Sequence, residues 1–150
     1  MEDIALQTTS NTTQNEMSHG PQIFFMPGVF NETMDLLTEA RDYFHEYGDA
    51  DQSQINAYLR TIYTSEMSRI TLRLSTIMAW TMAQRAVLAG KLSQEEAAMH
   101  HALSYSDVCR VNSSVLHGVL PSYVCHLLDR SHELYERVAR LDEQFRLQVN

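Results

Sequence analysis

Ile70-Thr71-Leu72-Arg73-Leu74-Ser75-Thr76-Ile77-Met78-Ala79-Trp80-Thr81-Met82-Ala83-Gln84-Arg85-Ala86-Val87-Leu88 is the stretch that decides the fold. With the run leading into it from Ile55, it holds neither Gly nor Pro, and its only charges after Ile70 are Arg73 and Arg85. Leu59, Ile62, Ile70, Leu74, Ile77, Thr81 and Leu88 recur along one side at helical spacing. Leu72, Ala79, Met82, Ala83 and Ala86 form a second small or apolar set on the opposite side. A helix apolar on two sides needs neighbours on both, so this one is expected at the centre of a bundle, with surface left over for other molecules. At 1.5 Å per residue, roughly 35 residues make a rod of about 50 Å. Arg73, Gln84, Arg85 and the hydroxyl residues between them argue against a membrane span.

Upstream, Phe30 to Tyr47 reads as a first helix with the stripe Phe30, Met34, Leu37, Ala40, Phe44 and Tyr47, stopped by Gly48. Gly48-Asp49-Ala50-Asp51 reads as a turn, and Asp51 or Ser53 as the cap of the central helix, with Gly90 in the C′ place at its end. Ser93-Gln94-Glu95-Glu96 is a capping box opening a short helix to about His101. Ser104 to Gly118 has weak periodicity and reads as irregular or partly helical. Pro121 opens a last helix to about Arg146. Its seam is Val124, Leu127/Leu128, Ser131, Leu134/Tyr135, Val138, Leu141 and Phe145, close to a 3.5-residue repeat. Outside the seam, Glu133–Arg137, Glu136–Arg140 and Asp142–Arg146 are spaced for i,i+4 pairs.

Residues 1–22 are rich in Thr, Asn, Ser and Gln, offer almost nothing to bury, and read as a disordered tail. They lack the basic and apolar regions of a signal peptide. Ile23-Phe24-Phe25-Met26 can dock on the bundle, and Pro27-Gly28 punctuates the entry to the first helix. The expectation is an all-α chain: a disordered tail at 1–22 and one helical domain at 23–150. That domain is an antiparallel three-helix bundle with a long central helix and a short extra helix after it. Three Pro and five Gly in 150 residues are too few for a sandwich or barrel, and 44% hydrophobic content suffices for a core.

The net charge of −8 opposes nucleic-acid binding, which needs a basic footprint. Residues 1–51 carry ten acids against the single base Arg41, whereas residues 52–150 carry nine acids and ten bases. Such an acidic first third suits a basic partner or the arginines of the later helices. Two cysteines, Cys109 and Cys125, fit a reduced, cytoplasmic protein.

Five histidines and both cysteines fall between His100 and His132, but no CxxC or HxxxH pair is among them. Cys125, Asp129 and His132 share one helix face, the arrangement a metal site would use, although ordinary helix-surface positions produce the same spacing. His100-His101 raises phosphotransfer, but no lysine or glycine lies close enough to settle a phosphoryl group. The sequence has no nucleophile elbow, glycine-rich phosphate loop or HExxH motif, and Glu95-Glu96 is explained by helix-start electrostatics. No enzyme, cofactor or metal is expected.

Asp35, Glu39, Asp42 and Glu46 make one acidic stripe on the first helix. Like charges at this spacing cost about 0.2–0.5 kcal/mol per pair. Either the stripe is a solvated face relieved by Arg60, Arg69 or Arg73, or it is a docking surface for a basic partner. Arg69, Arg73 and Arg85 complete the candidate partner-binding set. Leu72, Ala79, Trp80, Met82, Ala83 and Ala86 are the candidate dimer interface, with Trp80 equally suited to anchor the core.

Three groups of residues resemble one known family. In the first helix they are Phe30-Asn31-Glu32-Thr33-Met34 and Glu39-Ala40-Arg41-Asp42-Tyr43; in the central helix, Glu66-Met67-Ser68-Arg69-Ile70-Thr71-Leu72-Arg73-Leu74, Ala79-Trp80 and Gln84-Arg85-Ala86-Val87. In the last helix they are Leu120-Pro121, Ser131, Leu134-Tyr135-Glu136-Arg137-Val138 and Arg140-Leu141-Asp142. Their order and spacing over about residues 29–145 resemble RcdA, the regulator of CtrA degradation of alphaproteobacteria. The resemblance implies a dimerising three-helix bundle and a non-enzymatic adaptor. Such an adaptor brings cell-cycle regulators to the ClpXP protease together with CpdR-like and PopA-like proteins. A phosphotransfer or metal-binding helical protein and a purely structural helical dimer are the alternatives.

Overall fold

The computed structural model describes residues 22–150. The expected tail at 1–22 therefore lies, but for Gln22, outside the described residues. Three long helices make the bundle: α1 (Gln22–Ser53), α2 (Ala57–Leu88) and, after two short helices, α3 (Gln94–His100) and α4 (Asp107–Arg110), the helix α5 (Ser122–Val149). A single 3₁₀ turn, Ser114–Leu116, lies between α4 and α5. The described residues contain no strand.

Helix α2 is the central rod, and its ends follow from its sequence. Asn56 caps it by accepting from the Leu59 backbone at 2.9 Å, in place of the expected Asp51 or Ser53. Asp51 is engaged elsewhere: it accepts the Tyr43 hydroxyl at 2.5 Å and the Tyr63 hydroxyl at 3.3 Å, which ties down the last turns of α1. At the other end, Gly90 takes a φ of +69° while the Gly90 and Lys91 amides donate to Val87 and Ala86. This pairing is the Schellman arrangement, and it places Gly90 at C′ as the sequence indicated.

Helix α1 is longer than expected. It runs through Pro27 and through Gly48, the stop that the sequence suggests. Pro27 removes one backbone bond close to the helix start. Gly48 is buried where α1 meets α2; a Cβ there would lie 3.9 Å from the Tyr63 hydroxyl. The buried face is also rotated from the expected stripe. Met26, Val29, Thr33, Leu36 and Ala40 are buried, whereas Met34 and Tyr47 are exposed. Thr33 is tolerated there because its hydroxyl donates to the Val29 carbonyl at 2.7 Å.

The pairs between helices fix their directions. Arg137 meets Glu32, Arg130 meets Glu39, and Tyr123 stacks on Tyr43, so α5 runs antiparallel to α1. Arg73 bonds Leu128, and Trp80 bonds Asp142, so α5 runs in the same direction as α2. Parallel neighbours cannot be joined by a tight turn, and the segment 89–121 must carry the chain back along the bundle. Its middle, residues 104–118, is the irregular region expected from the sequence and lies as a strap over α2 and α5.

The core contains Leu36 of α1, Tyr63, Ile70, Leu74, Ile77 and Trp80 of α2, and Val124, Leu127, Leu134, Tyr135 and Val138 of α5. The α5 seam is placed as its repeat indicated. Trp80 is 2% exposed, stacks on Phe145 at 5.7 Å, and donates its indole N–H to Asp142 at 2.8 Å. Asp142 is also 3.1 Å from Arg146, the one expected i,i+4 pair that forms. Arg137 reaches across to Glu32, away from Glu133.

Candidate functional site

The charged residues singled out from the sequence fall into two groups. One is consumed inside the molecule. Arg73 has no exposed surface. Its Nε donates to the Cys109 carbonyl at 2.8 Å, one terminal nitrogen to the Leu128 carbonyl at 3.1 Å and the Ser131 hydroxyl at 3.2 Å, and the other to the Val111 carbonyl. Burial lowers its pKa to about 10, which leaves it charged at neutral pH. Arg69 bonds Glu66 at 3.0 Å and the Val108 carbonyl at 2.6 Å, and buried Glu66 accepts the Ser113 hydroxyl at 2.7 Å. Both arginines are internal struts that hold the strap. Arg73 cannot reach a partner, which removes it from the partner-binding set.

The second group lies on the outer face of α1. Asp35, Asp42 and Glu46 are exposed and Glu39 half-buried, so the stripe exists as read. Glu39 is clasped by one terminal nitrogen of Arg130, 2.8 Å from both carboxylate oxygens, and accepts the Tyr123 hydroxyl. Burial works to raise its pKa, but the Tyr123 and Arg130 hydrogen bonds and the Arg130 charge outweigh it and hold the carboxyl below its usual range. Asp42 pairs with exposed Arg41 at 2.8 Å. The sequence named Arg60, Arg69 and Arg73 to relieve the stripe; the structure supplies Arg130 of α5 and Arg41 of α1. Arg85 is exposed over the Phe30 ring at 4.7 Å, where α1 begins and α2 ends.

Beside the stripe, Tyr43, Tyr47 and Tyr123 form an aromatic run across α1 and α5. Tyr43 stacks on Tyr123 at 4.5 Å and lies 5.4 Å from Tyr47. Periodicity does not reveal this cluster, because Tyr47 falls on the apolar stripe of the first helix and Tyr123 comes from a distant helix. The i,i+4 spacing of Tyr43 and Tyr47 was the available signal.

The candidate dimer residues separate likewise. Leu72, Ala79 and Met82 are exposed and Ala86 half-buried along one strip of α2. Trp80 and Ala83 are buried within the chain. His100 and His101 are exposed at the end of α3. Cys125 is buried and directed at the Leu116 carbonyl, Asp129 bonds His117, and His132 bonds the Arg110 carbonyl. Among the described residues, no three His, Cys, Asp or Glu side chains converge as metal ligands. No described helix is long and apolar enough to cross a membrane.

The fold and its surfaces define a helical scaffold of three long helices with a strapped side and an open acidic side. The chain belongs to the family described as a protein of unknown function, DUF1465, whose pattern matches residues 22–150. It is similar to the crystal structure of RcdA from Caulobacter crescentus CB15, with a TM-score of 0.66 and 28% sequence identity over 82% of this chain and 92% of that one. No curated protein matches the sequence.

Proposed function

We propose that the chain is a non-enzymatic, cytoplasmic adaptor of regulated proteolysis. In this reading it delivers cell-cycle regulators such as CtrA to ClpXP, together with a CpdR-like response-regulator co-adaptor and a PopA-like protein. The single observation that carries the reading is the likeness to RcdA across 92% of that protein's chain at 28% identity. The disposition of charge agrees with it, since Arg69 and Arg73 are bonded within the molecule while the α1 carboxylates remain at the surface. Holding a cargo beside the protease raises its effective concentration into the mM range for a short tether and leaves the peptide-bond chemistry unchanged. The adaptor is further proposed to be a homodimer paired through the exposed strip Leu72, Ala79, Met82 and Ala86.

The test is ATP-fuelled degradation by ClpXP with the co-adaptor, with and without this chain, across a cargo titration. Degradation should accelerate at low cargo concentration and converge at saturation. Superimposable curves throughout would remove the reading.

A further inference from the structure

Tyr43, Tyr47 and Tyr123 wall an open groove of about 550 Å³ on the outer side of α1. Its remaining lining is carboxylate: Glu39, Asp42, Glu46 and Asp51. The hydrogen-bond inventory is one-sided. Two of the three tyrosine hydroxyls already donate to carboxylates, Tyr43 to Asp51 and Tyr123 to Glu39. The lining side chains therefore offer four carboxylates and three ring faces, against the Tyr47 hydroxyl as a donor. An anion or a sugar finds little to bond. A group that only donates is suited to it, and guanidinium carries five N–H donors and no acceptor.

The charge balance points the same way. Glu39 is neutralised by Arg130 and Asp42 by Arg41. Glu46 and Asp51 have no cationic partner among the described residues, and the Asp51 carboxylate accepts the Tyr43 and Tyr63 hydroxyls. The groove thus holds two uncompensated negative charges next to stacked rings whose faces also attract cations. Planar guanidinium stacks on such faces, whereas ammonium acts as a strongly hydrated point charge.

We propose that this groove receives an arginine side chain from a basic segment of a partner protein, with the guanidinium lying over Tyr47 and Tyr43 and bonding Glu46 and Asp51. The adaptor reading supplies its purpose, since this would be a docking point for cargo or co-adaptor, but the geometry does not depend on proteolysis.

The test is fluorescence anisotropy of the full chain at 0.15 M salt, with labelled Gly/Ser peptides bearing three arginines, three lysines or three glutamates and with no protease present. The arginine peptide should bind about threefold or more tighter than the lysine peptide, and the glutamate peptide should not bind. Tyr47 is exposed, so its variants should fold. Tyr47→Leu should weaken binding about threefold to tenfold, and Tyr47→Phe should keep it within about twofold. Glu46→Lys should weaken it about tenfold, whereas Glu143→Lys, the same charge change about 30 Å along α5 from Tyr123, should cost less than about twofold. Equal losses from the two lysine variants would reduce the effect to net charge and overturn the proposal, as would indifference to Tyr47→Leu. Competition by the chain itself, with a doubling of mass in light scattering, would place a second copy in the groove and also overturn it. A chain that binds the peptide but fails to speed degradation retires the adaptor reading and keeps the groove. A chain that speeds degradation without binding the peptide does the reverse.

Discussion

The side of the bundle under the strap and the outer face of α1 use the same chemical groups to opposite ends. Under the strap, Arg73 is surrounded by three carbonyls and a hydroxyl from two other segments, and Arg69 and Glu66 bond each other and the strap. On α1, carboxylates and tyrosines also bond one another, yet Glu46 and Asp51 find no cation and Tyr47 stays 48% exposed. The difference lies in what a segment without regular structure requires. The strap has carbonyls without helical partners, and burying them unpaired would cost about 1–3 kcal/mol each. One guanidinium satisfies several at once. Helix α1 meets its own backbone needs, so its polar side chains are free for other molecules.

Removing the clamp should produce the largest effect. Arg73→Met keeps the length and the apolar stem but leaves the Cys109 and Val111 carbonyls without their donor, whereas the Leu128 carbonyl keeps the Ser131 hydroxyl. The expected loss is about 3–5 kcal/mol, or a melting temperature lowered by roughly 10 °C for a chain of this size. Thermal unfolding followed by circular dichroism checks the magnitude, and limited proteolysis checks the place, with early cleavage expected within residues 104–118. A variant as stable and as protease-resistant as the parent would show that the strap is held by its own apolar contacts.

Much of this architecture is legible in the sequence, and what is hidden has one physical cause. The α5 seam, the Gly90 terminus and the Ser93–Glu96 capping box are local patterns, in which partners lie within a few residues and periodicity reports them directly. Arg73 and Asp142 read as surface charges because the partners that bury them lie 36 to 62 residues away in sequence. Nothing local states that a charge will meet carbonyls instead of water. The rotated face of α1 is hidden for a related reason: Tyr47 looks apolar in a periodicity count, while Leu36, 1% exposed, shares its helix with many polar neighbours. The acidic stripe was visible because it lies on one helix. The aromatic groove beside it was not, because Tyr123 arrives from α5.

A smaller effect should distinguish the two sides by pH. Burial works to raise the Glu39 pKa, but Tyr123 and Arg130 hold the carboxyl below its usual range. A carboxylate depressed in the folded state stabilises the protein above its unfolded pKa, and that contribution is lost as the pH falls through the folded value. Glu39→Gln should therefore cost up to about 1 kcal/mol at neutral pH, given the partial exposure of the pair. The deficit should close as the pH is lowered below 4.5. Urea unfolding at a series of pH values measures it. A deficit that persisted at low pH would mean that the Glu39–Arg130 contact acts by packing and not by charge.

The smallest change in stability, and the sharpest test of what an open face is for, concerns α2 itself. Leu72 is 42% exposed and Met82 55% exposed, on the strip that neither α1 nor α5 covers. Replacing both with Glu removes nothing from the core, and surface changes of this kind usually stay within about 0.5 kcal/mol per site. If the strip pairs with a second copy, the double variant should keep its helicity and melting behaviour under conditions where it is monomeric. Light scattering at tens of micromolar should then halve the mass of a dimeric parent, because two carboxylates per chain buried against their symmetry mates would carry uncompensated charge into the interface. A parent that is already monomeric at that concentration would leave α2's outer strip as ordinary solvated surface, and the acidic face of α1 as the side of the scaffold with unused binding capacity.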